Sequence, residues 1–144
     1  MTLLDTNVII DAQDAGSPFR DWAREQIAAA VAGDGAAINA VILAELSAGR
    51  REPEEAVRDL RTAGVEILDL PAAAAAVCGA AYRRYCLARQ ASGAGAAPKT
   101  PLPDFFIGAH AQILGGKLAT RDGERFKTHF PGVVLVEPAP RGSP

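Results

Sequence analysis

The fold class expected from this sequence is α/β: a three-layer domain in which a central, mostly parallel five-stranded sheet is flanked by helices. Short apolar runs alternate with longer segments of helical period along the chain. Strands joined through helices pair in parallel, with right-handed crossovers that cover both faces of the sheet. The 144 residues suffice for one hydrophobic core and not for two. A single domain is therefore expected over residues 1–137, with Pro138 to Pro144 as a frayed tail.

Met1 to Leu4 reads as a short buried strand, and Asp5-Thr6-Asn7 as the turn capping a helix that carries Val8, Ile9 and Ile10. Asp11 and Asp14 fall at the end of that helix, with Gly16 as its C-cap. Ser17 is expected as N-cap and Pro18 as the first residue of a second helix, because Phe19, Trp22, Ala23, Gln26, Ile27, Ala30 and Val31 follow a 3.6-residue period up to Gly33. Ala36 to Asn39 is the second strand. Val41 to Ala48 is a helix closed by Gly49, and Pro53 opens another that runs to Thr62 and stops at Gly64. Val65 to Leu70 alternates as a strand does, and Pro71 begins an Ala-rich helix reaching Gln90. Ala91 to Pro101 carries no large apolar residue and reads as a mobile loop. Helix returns from Pro103 to Leu114 and ends at Gly115-Gly116. Lys117 to Thr120 and Val133 to Val136 are the last strands, with a short helix from Asp122 to Thr128 between them.

Hydrophobic residues make up 49% and charged residues 22% of the chain, and no apolar run approaches the roughly 20 residues of a membrane span. The chain opens on a strand rather than on a basic and then apolar leader, so a soluble cytoplasmic protein is expected. Cys78 and Cys86 share one helix about 12 Å apart along its axis, too far to pair. With only two histidines beside them, a Cys/His zinc site is excluded, and any metal must be held by oxygen. A net charge of −2 argues against non-specific coating of nucleic acid. The charge is unevenly spread, however. Pro71 to Pro103 holds no acid but carries Arg83, Arg84, Arg89 and Lys99, and a second basic group follows in Lys117, Arg121, Arg125 and Lys127. A basic rim around an acidic centre is expected.

That centre is assembled from Asp5, Glu45, Asp104 and Asp122. Taken singly, Asp5 and Asp122 read as helix caps or turn residues and Asp104 as a charge favoured by a helix N-terminus. Glu45 resists such a reading, since Val41, Ile42, Ala48 and Gly49 surround it at helical spacing and place it within an apolar stripe. Asp5 follows the first strand, Asp122 follows the fourth, and Asp104 opens the helix leading into the fourth. All three can reach the carboxyl edge of the sheet, where ligands bind in such folds. Converging carboxylates repel unless a divalent cation compensates them. Oxygen-only ligation suits Mg²⁺ or Mn²⁺, which activate water for attack on phosphorus.

The segments LLDTNVIID (Leu3 to Asp11), NAVILAEL (Asn39 to Leu46), LPDFFIGAHA (Leu102 to Ala111), ATRDGERF (Ala119 to Phe126) and FPGVVLVEP (Phe130 to Pro138) resemble, in order and spacing, the PIN-domain nucleases. Within them the likeness is to the VapC-type toxins of bacterial toxin–antitoxin modules, for which LPDFFIGAHA is a fairly specific marker. The resemblance covers nearly the whole chain. It implies a PIN-like fold and a Mg²⁺- or Mn²⁺-dependent endoribonuclease, usually dimeric and inhibited by a cognate antitoxin. Asp5, Glu45, Asp104 and Asp122 would be its metal-site and catalytic acids, with Thr6, Asn7 and Thr120 as polar supports. The Ala91 to Pro101 loop looks longer and richer in Gly and Ala than in many relatives.

His110 is expected to be packed within its helix rather than to act as a base, and His129, before Phe130-Pro131, to be structural or solvent-facing. Tyr82, Tyr85, Trp22, Cys78 and Cys86 fall at spacings that favour core packing over base stacking. Two other enzyme or signalling classes fit less well. A phosphatase using Asp5 as nucleophile needs a second acid where Asn7 stands, and a phospho-acceptor domain built on Asp69 lacks an early acid pair and a late lysine. A catalytically idle PIN-like domain that binds RNA or protein remains an alternative to the nuclease.

Overall fold

The computed structural model describes residues 1–140. Five strands form one sheet: β1 (Thr2–Leu4), β2 (Ala36–Asn39), β3 (Val65–Leu68), β4 (Lys117–Ala119) and β5 (Val134–Val136). Their order is β3-β2-β1-β4-β5 and every pairing is parallel, so the sheet is wholly rather than mostly parallel. β1 is central, with Leu3 opposite Ala37 of β2 on one side and Leu118 of β4 on the other. The chain winds outward from β1 to β3 and then resumes on the opposite side at β4. This reversal places the ligand crevice of a doubly wound sheet at the carboxyl ends of β1 and β4.

Seven helices among the described residues complete the α/β fold: α1 (Thr6–Gln13), α2 (Arg20–Ala32), α3 (Ala40–Ala48), α4 (Glu54–Thr62), α5 (Ala72–Ala91), α6 (Pro103–Leu114) and α7 (Glu124–His129). Leu3, Leu4, Val8, Ile38, Ile42, Phe105, Ile107, Leu118, Phe126 and Phe130 are fully enclosed and join sheet to helices. Tyr82, packed edge-on to Phe105, and Cys78 are buried. Trp22, Tyr85 and Cys86 are half-buried against the core, and both cysteines are free thiols.

Several boundaries differ from those expected. α1 ends at Gln13 with Asp14 as its C-cap, and Gly16 lies beyond it, donating its N–H to the Asp14 carboxylate. α2 begins at Arg20 instead of Pro18. The Ser17 hydroxyl accepts the Phe19 N–H but donates to Asp11, so it ties α1 to the following turn rather than capping a helix that starts beside it. β3 stops at Leu68, β4 at Ala119, and α7 begins only at Glu124. Ala91 to Pro101 contains no regular element beyond the end of α5; the Tyr82 hydroxyl donates to the Pro98 carbonyl, and Arg89 donates to that of Ala94. Of the expected tail, Pro138 to Pro140 lacks regular structure and residues 141–144 lie outside those described. Among the described residues no helix is long and apolar enough to cross a membrane.

α6 is set at both ends by its sequence, with Pro103 in its first turn and Gly115 at the C-cap in the left-handed region (φ 61°). In its middle, Gly108 lies against the Phe130 ring, which would overlap a Cβ at that position. Gly108→Ala should therefore lower stability by about 1–3 kcal/mol through overpacking. Gly79→Ala, at an exposed position of α5 with nothing within 4 Å, should leave stability equal or raise it by about 0.5–1 kcal/mol. Denaturant unfolding of the two variants compares them directly; equal effects would show that contact with Phe130 does not constrain residue 108.

Candidate active site

Asp5 occupies the point where β1 ends and α1 begins. Its backbone N–H continues the ladder to the Ala119 carbonyl at 2.9 Å, and its extended conformation (φ −64°, ψ 154°) makes it the N-cap of α1. One carboxylate oxygen, Oδ1, accepts the Thr6 N–H at 2.7 Å. The other, Oδ2, accepts the Thr120 hydroxyl at 2.8 Å and the Asn7 amide at 3.3 Å. Thr120, fully buried just past β4, also accepts the Asp122 N–H at 3.1 Å, and the Asn7 side-chain carbonyl accepts the Arg121 N–H at 3.3 Å. Strand pairing between β1 and β4 thus fixes Asp5, Asn7, Thr120 and Asp122 relative to one another.

Glu45 comes from α3, whose start is set by Asn39 at the end of β2: the Asn39 side chain accepts the Ile42 N–H at 2.9 Å. The Thr6 hydroxyl donates to Glu45 Oε1 at 2.8 Å. Contrary to its expected place in an apolar stripe, Glu45 is exposed, while Ile42 and Leu46 form the buried side of α3. α3 is apolar almost all round, so periodicity alone cannot distinguish its inner face. Asp104, in the first turn of α6, meets Arg125 of α7 in an ion pair of 3.0 Å.

Asp5, Glu45, Asp104 and Asp122 all line one open cleft of about 230 Å³, together with Thr6, Asn7, Ile10 and Arg121. Burial, reinforced by neighbouring carboxylates, raises the pKa of two of them. Burial pushes the Asp5 carboxyl up to about 6; the Thr120 hydroxyl opposes the rise, the Asp104 charge adds to it, the Thr6 N–H opposes it and the Glu45 charge adds to it. Burial likewise raises Asp104, with the Arg125 guanidinium opposing and Asp122 reinforcing. Among the described residues, no three His, Cys, Asp or Glu side chains form a ready-made ligand cage. An open, oxygen-only cleft with excess negative charge fits Mg²⁺ or Mn²⁺, which keep much of their water, and does not fit the closed tetrahedral site of structural zinc.

His110 is buried, paired with the Asn39 amide at 3.2 Å, and pushed by burial toward its neutral form, as a packed residue would be. His129 packs its ring against Tyr85 and Phe105. Two neighbours of the acids were not singled out from sequence beyond their basic character. Arg125 is the partner of Asp104, and Arg121 lines the cleft while pairing with Asp11 at 2.8 Å. Asp11 was expected only to terminate α1; it is buried instead. The signal available in the sequence was the position of both arginines within ATRDGERF, beside Asp122.

The chain belongs to the PIN domain family, whose model matches residues 2–129. No curated protein is significantly similar in sequence. Among solved structures, VapBC2 from Rickettsia felis bound to promoter DNA is similar with a TM-score of 0.69 at 21% identity, over 94% of this chain and 97% of that one. A toxin–antitoxin complex from Klebsiella pneumoniae is similar with a TM-score of 0.62 at 25% identity, over 93% and 96% of the two chains. VapC20 from Mycobacterium tuberculosis, a sarcin–ricin loop cleaving toxin, is similar with a TM-score of 0.65 at 18% identity, over 96% and 100%. The fold is thus one that VapC toxins adopt.

The elevated Asp5 pKa has a definite thermodynamic sign. Between about 4, the unfolded value, and about 6, the folded protein binds more protons at Asp5 than the unfolded chain does, so stability from this group falls as pH rises through that window. The stability of wild type relative to Asp5→Asn, measured in chelator by urea unfolding, should therefore decrease from pH 4 to pH 6 and level off above about 7. A difference that grows with pH would show that hydrogen bonding at Asp5 outweighs its burial.

Proposed function

We propose that this protein is a Mg²⁺- or Mn²⁺-dependent endoribonuclease and the toxin component of a toxin–antitoxin pair, hydrolysing RNA phosphodiester bonds in the cytoplasm with water as nucleophile. The observation that carries this reading is the meeting of Asp5, Glu45, Asp104 and Asp122 in one cleft at the carboxyl edge of the sheet. PIN family membership and the fold shared with VapC toxins supply the reaction class.

Asp5, Asp104 and Glu45 would hold a first ion, directly or through water, and Asp122 would stand nearer a second ion or the attacking water. Bound there, the ion supplies charge compensation and the acidity that lets water attack phosphorus at neutral pH. Thr120 and Asn7 keep the Asp5 carboxylate in one orientation, and Thr6 does the same for Glu45. Asp104 must share or release its ion pair with Arg125 as it takes up a ligand role. Because water and not the ribose 2′-hydroxyl attacks, no cyclic phosphate forms; the expected ends are a 5′-phosphate and a 3′-hydroxyl.

The antitoxin is expected to dock in an apolar groove of about 600 Å³ between α1, α2 and α4, lined by Ile9, Ile27, Val31, Leu60 and Val65. Its lining suits the apolar face of a partner helix, with Arg24 and Asp59 also lining it. Structures similar in fold are of toxin–antitoxin complexes, and a homodimer is the expected assembly of the toxin itself.

Wild type should cleave defined RNAs with Mg²⁺ or Mn²⁺ and lose cleavage in EDTA, and Asp5→Asn should reduce the rate by at least about 100-fold while retaining a cooperative melt. Cleavage that persists in EDTA, or cyclic phosphate ends, would overturn the mechanism. A wild type that binds RNA without cutting it under any divalent ion would make this an idle PIN domain.

A further inference from the structure

The cleft that would receive RNA is lined by carboxylates, yet its substrate is a polyanion. Among the described residues lining it, Arg121 is the single cation. Its guanidinium is unusually constrained for a residue on a loop. Nε lies 2.8 Å from Asp11 Oδ2, and the guanidinium carbon stands 5.3 Å over the Phe19 ring. The Arg121 backbone N–H is held by Asn7, so both ends of the residue are tied to α1 and the turn after it. Its side chain is nevertheless 39% exposed, whereas that of Asp11 is 5% exposed.

Asp11 is otherwise hard to account for. It does not line the acidic cleft, and a buried carboxylate is costly unless well compensated. Its Oδ1 accepts the Ser17 hydroxyl at 3.0 Å; Oδ2 has the Arg121 ion pair but no hydrogen bond of good geometry. The pair therefore holds the guanidinium in place by charge, with the Phe19 ring beneath it, more than it satisfies the acid. With Nε the guanidinium atom nearest Asp11, the two terminal nitrogens make no hydrogen bond among the described residues, and they form a fork that matches two oxygens of a phosphate. Arg125, the other arginine beside the acids, is already paired to Asp104.

We propose that Arg121 is a substrate-binding residue that grips a phosphate of single-stranded RNA beside the acidic cleft, and that buried Asp11, with Phe19 beneath the guanidinium, is the positioning residue that orients it. This assignment rests on the nuclease reading. It assigns to α1 a second task besides carrying Asn7 and Ile10 into the cleft: holding an arginine at the cleft's edge in a geometry prepared before RNA arrives, which lowers the ordering cost of binding.

The test uses a fluorescently labelled single-stranded oligoribonucleotide and the full chain carrying Asp5→Asn, so that binding is read without cleavage over a series of salt concentrations in Mg²⁺ buffer. Arg121→Ala added to this parent should weaken binding about tenfold and reduce the slope of log K against log salt by about 0.7, the loss of one phosphate contact on a single strand. Arg121→Lys should keep the slope but recover only part of the affinity. Asp11→Asn should weaken binding with the slope unchanged, and added to Arg121→Ala it should cost nothing further, since its effect passes through the arginine. Melting curves accompany each variant. A merely structural ion pair would shift the melts and leave the slope alone. Arg121→Lys guards against an alanine variant that fails to fold: binding within twofold of the parent for that variant overturns the proposal, as do parent-like binding by Arg121→Ala or additive losses with Asp11→Asn. If wild type still cleaves RNA in those cases, only this assignment falls. A parent that binds no RNA, with a wild type that cleaves none, removes both readings.

Discussion

The hydrogen bond from the Thr120 hydroxyl to Asp5 spans 115 residues of sequence and closes the reversal point of the sheet. It exists because β1 and β4 are parallel neighbours whose registers end together, Leu4 opposite Ala119, so that the residues leaving each strand face one another. Burial there raises the pKa of Asp5, and the charges of Asp104 and Glu45 add to the rise. A carboxylate in that position destabilises the fold once ionised, and its hydrogen bonds offset only part of the cost. A cation that neutralises the cleft would supply the remainder. Stability and cation binding would then draw on the same side chain, as expected of a site whose geometry must be set before its ligand arrives.

Sequence reasoning recovers the order of elements because strand and helix periods differ sharply and glycine and proline mark many of the boundaries. The positions of the acids are legible for the same reason: Asp5 and Asp122 as residues after strands, and Asp104 as the residue after Pro103. Glu45 lines the cleft, but the burial expected of it was mistaken. Its neighbours are apolar because α3 packs Ile42 and Leu46 inward, yet Glu45 itself points to an open cleft. Asp11 fails for the opposite reason. At the end of a predicted helix it reads as a surface terminator, and its burial depends on Arg121, 110 residues later in the chain, and on Ser17 beside it. Local pattern carries periodicity and breaks. Pairing across the sheet's reversal depends on register, which the pattern does not contain.

Placement of Asp104 relies on packing rather than on hydrogen bonding. Leu102, the N-cap of α6, makes no side-chain cap bond, so the helix start is set by Pro103 and by what the helix buries. Phe105 and Ile107 are fully enclosed, and Phe105 meets Tyr82, Tyr85, His129 and Phe130 in one cluster of rings. Gly108 lets Phe130 approach the helix backbone. Phe130 immediately follows α7, the helix that carries Arg125, so the same cluster fixes both members of the Asp104–Arg125 pair. The low polarity of LPDFFIGAHA after its single acid is thus the packing that aims that acid.

The two arginines near the cleft behave differently because their partners do. Arg125 pairs with an acid of the cleft, and both side chains are about two-fifths exposed, so the bond is weak and readily exchanged for another cation. Arg121 pairs with an acid outside the cleft that is nearly sealed from solvent, and breaking that pair would strand a buried charge. On the proposed reading, a cation held by the carboxylates would compete with Arg125 for Asp104, whereas Asp11 lies outside the cleft and is nearly sealed. Filling the site would then free Arg125 while leaving Arg121 in place. On that reading the positive charge available to a polyanion would rise as the negative charge of the cleft is neutralised, through two ion pairs that differ in burial and in which acid they engage.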